Sequence, residues 1–229
     1  MRNGKVASVG WLILLATGLV RAETVPLPTP DPERGSIGIT VRALQRSDGR
    51  PKIVSAVEVF FVKLRSGQDS RRAVDVTRST FARRDRVFLL NAEPGRYAAV
   101  AAVLPASSGQ RVGSRAYFSS DLIPMTEVTV APGQLVFMGE FVLNLSTRFR
   151  ALDRAQAHYF DLIVPDVDQR SAEARERRAR VSHRAWLRRA ERDLKSSDDF
   201  WKYAVDKVFN RQPSWQAFLG ERLQTSGAW

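Results

Sequence analysis

The sequence predicts an antiparallel β-sandwich followed by an α-helical C-terminal region. Three observations lead there. Apolar residues alternate with polar ones at period two from Gly35 to about Ser146. Pro-Gly and Asp-Gly turns punctuate that stretch. Past Asn144 the apolar residues change to helical spacing.

Each element follows in order. Residues 23–34 hold Pro26, Pro28, Pro30 and Pro32. Alternating prolines remove backbone donors and fix φ, so this stretch reads as an extended spacer. Ile37, Ile39 and Val41 then alternate with Gly38, Thr40 and Arg42, and Ser47-Asp48-Gly49-Arg50-Pro51 makes a turn. Val57, Val59 and Phe61 alternate with Glu58 and Phe60. Val87 and Leu89 precede the Pro94-Gly95 turn, and Tyr97 opens the next run through Val100 and Val103. Val128 and Val130 precede Pro132-Gly133. Leu135, Phe137, Phe141 and Leu143 are expected on one face of a long final strand. The β-sandwich domain is set at residues 35–149.

Residues 150–229 form the helical region. Tyr159 to Val164 reads as one more strand stopped by Pro165, with a helix over 150–160 as the alternative. Over residues 168–195, Ala172, Ala179, His183, Trp186, Leu187, Ala190 and Leu194 fall on one stripe at 100° per residue, predicting a long charged helix. Ser197 is the expected N-cap of a second helix, with Asp198 and Asp199 in its first turn. Its apolar side is Phe200, Trp201, Ala204, Val205, Val208 and Phe209. Pro213 suits the first position of a third helix that buries Trp215, Phe218, Leu219 and Leu223.

The strand segments carry a resemblance. Gly35 to Val41, Asp48-Gly49-Arg50-Pro51 and Ser55 to Val59 resemble the opening of the carboxypeptidase regulatory-like domains. Ala92 to Tyr97 and the closing Val128 to Gly133 fit the same pattern. The resemblance covers about residues 35–145. It implies a transthyretin-type sandwich of seven to eight strands and an accessory or binding role, with no catalytic residues. Arg78 to Arg84 departs from the family's usual threonine-aspartate-glycine turn before the fourth strand.

The N-terminus reads as a secretory signal peptide. Arg2 and Lys5 precede an uncharged stretch, Val6 to Val20, and Val20-Arg21-Ala22 forms a small-residue cleavage site. Fifteen uncharged residues span roughly 22 Å as a helix, short of a ~30 Å hydrocarbon core. Cleavage after Ala22 is therefore expected, giving a periplasmic or secreted protein; an uncleaved membrane anchor is the alternative. The chain carries 36 Lys+Arg against 24 Asp+Glu, a formal charge of +12, and the basic residues are nearly all arginine. It has no cysteine, which excludes a disulfide scaffold, a thiol nucleophile, a cysteine zinc site and a lipoprotein anchor.

Candidate chemistry is sparse. The sequence holds two histidines. His183 sits on the apolar stripe and is read as a packed core residue rather than a ligand or base. His158 with Asp161 at i+3 is weighed as an acid–base pair and set aside. Asp166-Val167-Asp168 starts like a calcium loop but lacks the later Asp and Gly, so it is read as a turn and helix cap. GxSxG, GxxxxGK[ST], HExxH and GxGxxG are absent. No catalytic, cofactor-binding or metal residue is assigned.

Residues 168–195 hold ten Lys+Arg against five acids. Arg177, Arg180, Arg184 and Arg188 are the candidate anion-binding face, suited to lipid headgroups or acidic polysaccharide, because guanidinium forks match phosphate and carboxylate. The weighed alternative is a solvated helix face laced with i,i+4 pairs such as Glu173–Arg177 and Glu176–Arg180. Trp186 is assigned to the core, and nucleic acid is not expected as a partner. The expected function is a non-enzymatic binding or scaffolding module of the bacterial envelope, with another envelope protein as partner. The alternatives are a periplasmic hydrolase or its accessory subunit, with an unlocated carboxylate site, and an anionic-surface binder.

Overall fold

The structure is a computed structural model, and it describes residues 26–47, 50–105, 114–146, 152–163 and 182–225. The described residues form eleven strands: β1 (Gly35–Ser47), β2 (Arg50–Ser55), β3 (Glu58–Leu64), β4 (Val76–Arg78), β5 (Phe81–Arg83), β6 (Arg86–Ala92), β7 (Gly95–Leu104), β8 (Ser114–Phe118), β9 (Val128–Val130), β10 (Leu135–Ser146) and β11 (Ser182–Glu191). The helices are α1 (Leu122–Met125), α2 (Arg154–Ile163), α3 (Leu194–Tyr203) and α4 (Pro213–Thr225), with a π-helical turn over Ala204–Val208 after α3. None of the described helices is long and apolar enough to cross a membrane.

The strands form one mixed sheet in the order β4-β3-β7-β8-β11-β10-β1-β6-β5, with β2 added to β1 and β9 to β7. The expected antiparallel sandwich of seven to eight strands is corrected to this curled half-barrel. β1 runs parallel to β10, and β11 runs parallel to β8. Alternation specifies that a segment is a strand; it does not specify which neighbour it takes or in which direction. The two ends of the sheet are consecutive in the chain. Ser79 N–H donates to Val59 O on the β3 side, and Thr80 N–H donates to Phe88 O on the β6 side, both at 2.8 Å.

The inner face of the curl buries Ile37, Ile39, Val59, Phe61, Val87 and Phe141. The cluster continues through the sheet to α2, which packs on the outer side of β8 and β11: Phe160 is edge-on to Tyr117 at 5.5 Å, and Tyr117 is the register partner of Arg184. Residues 154–163 are thus helical, the alternative to a strand beginning at Tyr159. A second cluster lies outside the sheet, where Phe88, Leu90 and Phe137 meet Phe200, Trp201, Phe209 and Trp215 from the helices. Gly38 permits this docking, since a Cβ there would lie 2.2 Å from Phe200 Cε1.

The C-terminal region departs from its expected helical character. Residues 168–181 lie outside the described residues. Over 182–191 the expected helix is a strand, inserted between β8 and β10. The reason is local ambiguity: Ala185 and Leu187 alternate with Arg184 and Trp186 as well as they fit a helical stripe. Pairing on both sides then satisfies backbone groups that a helix would satisfy internally. The division at 149/150 therefore does not separate a sheet from helices. Asp193, not Ser197, caps α3; its carboxylate accepts from Ser196 N–H at 2.6 Å. α4 begins at Pro213, the position the sequence predicts.

The proline-rich segment is fastened to the fold rather than free. Trp215 Nε1–H donates to Pro28 O at 2.7 Å. The Asn91 side-chain amide donates to Thr29 O at 2.8 Å and accepts from Asp31 N–H at 3.0 Å. Leu27 packs on the outer cluster.

Candidate functional site

Two surfaces gather polar side chains. The first is a groove of about 420 Å³ beside the ends of β3, β4, β6 and β7. Lys63 Nζ reaches Glu93 at 2.7 Å, and Arg34 lies 3.7 Å from the same carboxylate. The Lys63 ammonium holds the Glu93 carboxyl below its ordinary range, with Arg34 adding to the effect. Tyr97 OH donates to Glu93 O at 2.8 Å, and burial pushes its pKa up to about 12. Asp75, the other acid of the groove, faces Arg65 at 3.4 Å. Glu93 is thus held ionised and Tyr97 protonated. The groove offers ion-paired recognition groups, and Glu93 is not poised as a general acid.

The second surface is the outward face of β2, β1, β10 and β11. Ile53, Leu44, Asn144 and Trp186 are register partners in one row across these four strands. Ile53 is 58% exposed and Trp186 42% exposed. Leu44 and Asn144 between them are half-buried. The adjacent row is Ser55, Arg42, Val142 and Arg189. An ion-pair chain bounds the surface. Arg86 meets Asp85 at 2.9 Å, Asp85 meets Arg42 at 2.7 Å, and Arg42 meets Glu140 at 2.6 Å. Arg189 approaches Glu140 at 3.7 Å. Towards Gly38, beyond this chain, the same face is covered by α3 and its continuation.

Of the candidate anion-binding arginines, Arg177 and Arg180 lie outside the described residues. Arg184 and Arg188 lie on β11 rather than on a helix. Arg184 Nε donates to Gln156 Oε1 at 3.3 Å. Arg188 is exposed, sits at the register irregularity of β11, and has no ion pair among the described residues. Trp186, assigned to the core from the sequence, is exposed, because its position on the strand alternates with inward Ala185 and Leu187.

The histidines stay apart. His183 is half-buried on β11, its Nδ1 has no hydrogen-bond partner among the described residues, and burial pushes its pKa down. His158 Nε2 lies 3.0 Å from Ala73 O, so that nitrogen is engaged by backbone rather than by Asp161. Asp166 and Asp168 lie outside the described residues. Among those described, no three His, Asp or Glu side chains converge as metal ligands.

Sequence reasoning missed the groove and the Arg42–Glu140 pair. Lys63 and Glu93 are single polar residues at strand ends, 30 positions apart. Arg42 and Glu140 are 98 apart and meet only through the parallel pairing of β1 with β10. The one available signal was the polar residue breaking each apolar alternation. No family model, curated protein or solved structure matches this chain.

Proposed function

We propose that the chain is an exported, non-enzymatic binding or scaffolding module of the bacterial envelope. The part of the outer sheet face that no described helix covers carries this reading. Ile53 and Trp186 stand exposed there in one register row, beside Arg188, which has no ion pair among the described residues. The signal-like N-terminus and the resemblance of residues 35–145 to carboxypeptidase regulatory-like domains support export and an accessory role. The state of the groove weighs against the hydrolase alternative, since Glu93 and Asp75 both face cations.

The test is chemical cross-linking in intact native cells, followed by sizing of the products in the envelope fraction. A discrete adduct larger than the monomer is expected. A chain that remains unattached, yet shows hydrolytic turnover lost in Glu93→Gln or Asp75→Asn, would replace this reading with the enzyme.

A further inference from the structure

We infer that the exposed shelf around Trp186 docks an acidic segment of a partner protein. The inference rests on the binding-module reading above and names its site and the chemistry of its occupant.

The shelf is about four strands wide. At roughly 4.8 Å per strand, Ile53 and Trp186 stand roughly 14 Å apart, with Leu44 and Asn144 between them. That spacing suits a row of partner side chains. Its ion pairs leave a cationic surplus. Among the described residues Arg184 meets the neutral Gln156, and Arg188 has no ion pair. Arg189 is 64% exposed, shares Glu140 with Arg42 and lies 3.8 Å from Glu191. Tryptophan and arginine are the residue types that dominate protein interface hot spots.

Three occupants compete, and the geometry separates them. A second copy packed face to face would set arginine against arginine, and the chain carries a net charge of +12. A membrane plane is obstructed, because α3 packs on the same sheet face over Gly38 and rises about 10 Å above it. The shelf is therefore recessed between α3 and, beyond Arg184, α2. Asn144, in the middle of the apolar row, also asks for a directional hydrogen-bond partner that hydrocarbon lacks. A polypeptide segment with carboxylates and apolar side chains meets all of these conditions.

The experiment uses the full mature chain and a fluorescein-labelled peptide of about a dozen residues alternating Glu with Leu. Its counterpart alternates Lys with Leu, and phosphatidylglycerol vesicles are the third probe. The acidic peptide should bind at least about tenfold more tightly than the basic one, with affinity falling as salt rises. Trp186→Ala and Arg188→Glu should each weaken that binding about tenfold or more, while Arg71→Gln leaves it unchanged. Circular dichroism of each variant shows that it is folded. Equal binding of both peptides, or acidic-peptide binding indifferent to Trp186 and Arg188, overturns the proposal. So does vesicle binding that needs Trp186 in the absence of peptide binding, or a Trp186-dependent dimer in sedimentation. If these results fail the shelf while intact cells still yield a discrete adduct, the module reading stands and only its site is wrong.

Discussion

Phe137 and Phe141 lie four residues apart on β10 yet face opposite sides of the sheet. Phe137 stacks on Phe200 in the outer cluster at 4.6 Å between ring centroids, whereas Phe141 is buried in the inner core. Uninterrupted alternation would put both on one face, as the sequence predicts. Gly139 breaks it: its φ is +130°, and the pairing of β1 with β10 slips by one residue there. The slip sends Met138 and Phe141 to the same core. One bulge thereby lets a single strand serve both hydrophobic clusters.

Both aromatic sites should be costly to empty, and independently so. Phe141→Ala should cost about 3–5 kcal/mol, and Phe137→Ala a comparable amount. The residues belong to different clusters. Their double variant should therefore lose nearly the sum, because side chains without shared partners couple weakly. Urea unfolding midpoints check this. A loss below about 1 kcal/mol for Phe141→Ala would mean that the strand faces are inverted.

Protonation of His183 should weaken the fold. Burial holds its imidazole below the ordinary 6.5, whereas in the unfolded chain it takes up a proton near that value. Between the two the unfolded state binds more protons, so acidification favours unfolding. The contribution is complete above the unfolded value and is lost as pH falls through the folded one. Stability measured from about pH 7.5 downward should fall more steeply for the wild type than for His183→Gln. Parallel pH profiles for the two proteins would remove His183 as the cause.

What was legible in the sequence follows from the range of the forces involved. The strands around Ile37, Val59, Val87 and Val128 are visible because alternation is a local property. The helix start at Pro213 is visible for the same reason. β11 was misread because its arginines and small apolar residues satisfy two periods at once. Only its place between β8 and β10 decides the outcome. The groove at Glu93 and the shelf at Trp186 depend on register between segments far apart in the chain, which no local pattern encodes.

Export should leave a chain beginning at Glu23. The proposed export predicts a cut after Ala22, from the Arg2/Lys5 region, the uncharged stretch and Val20-Arg21-Ala22. N-terminal sequencing of protein from the native cell checks it. Finding Met1 intact in the membrane fraction would support the anchor instead.

The tryptophans distinguish strand from helix over residues 182–191. Trp201 and Trp215 are 1% exposed and lie among Phe88, Phe200 and Phe209, so Trp201→Ala or Trp215→Ala should cost about 3–5 kcal/mol. Trp186 is 42% exposed on the outer face of β11, opposite Asn144. Its removal leaves no cavity in either core, so Trp186→Ser should cost below about 1 kcal/mol. A helix with Trp186 on its buried stripe would give the opposite ranking, with Trp186→Ser as damaging as Trp201→Ala. Arg188→Gln should be neutral on the same scale, because the guanidinium is exposed and has no ion pair among the described residues. Ala185 supplies the converse control. It is 0% exposed and packed in the inner core between β8 and β10, so Ala185→Asp should destabilise far more than any change at Trp186. Tolerance at Trp186 between sensitive Ala185 and Leu187, measured by thermal melting, is the period-two signature expected of this strand.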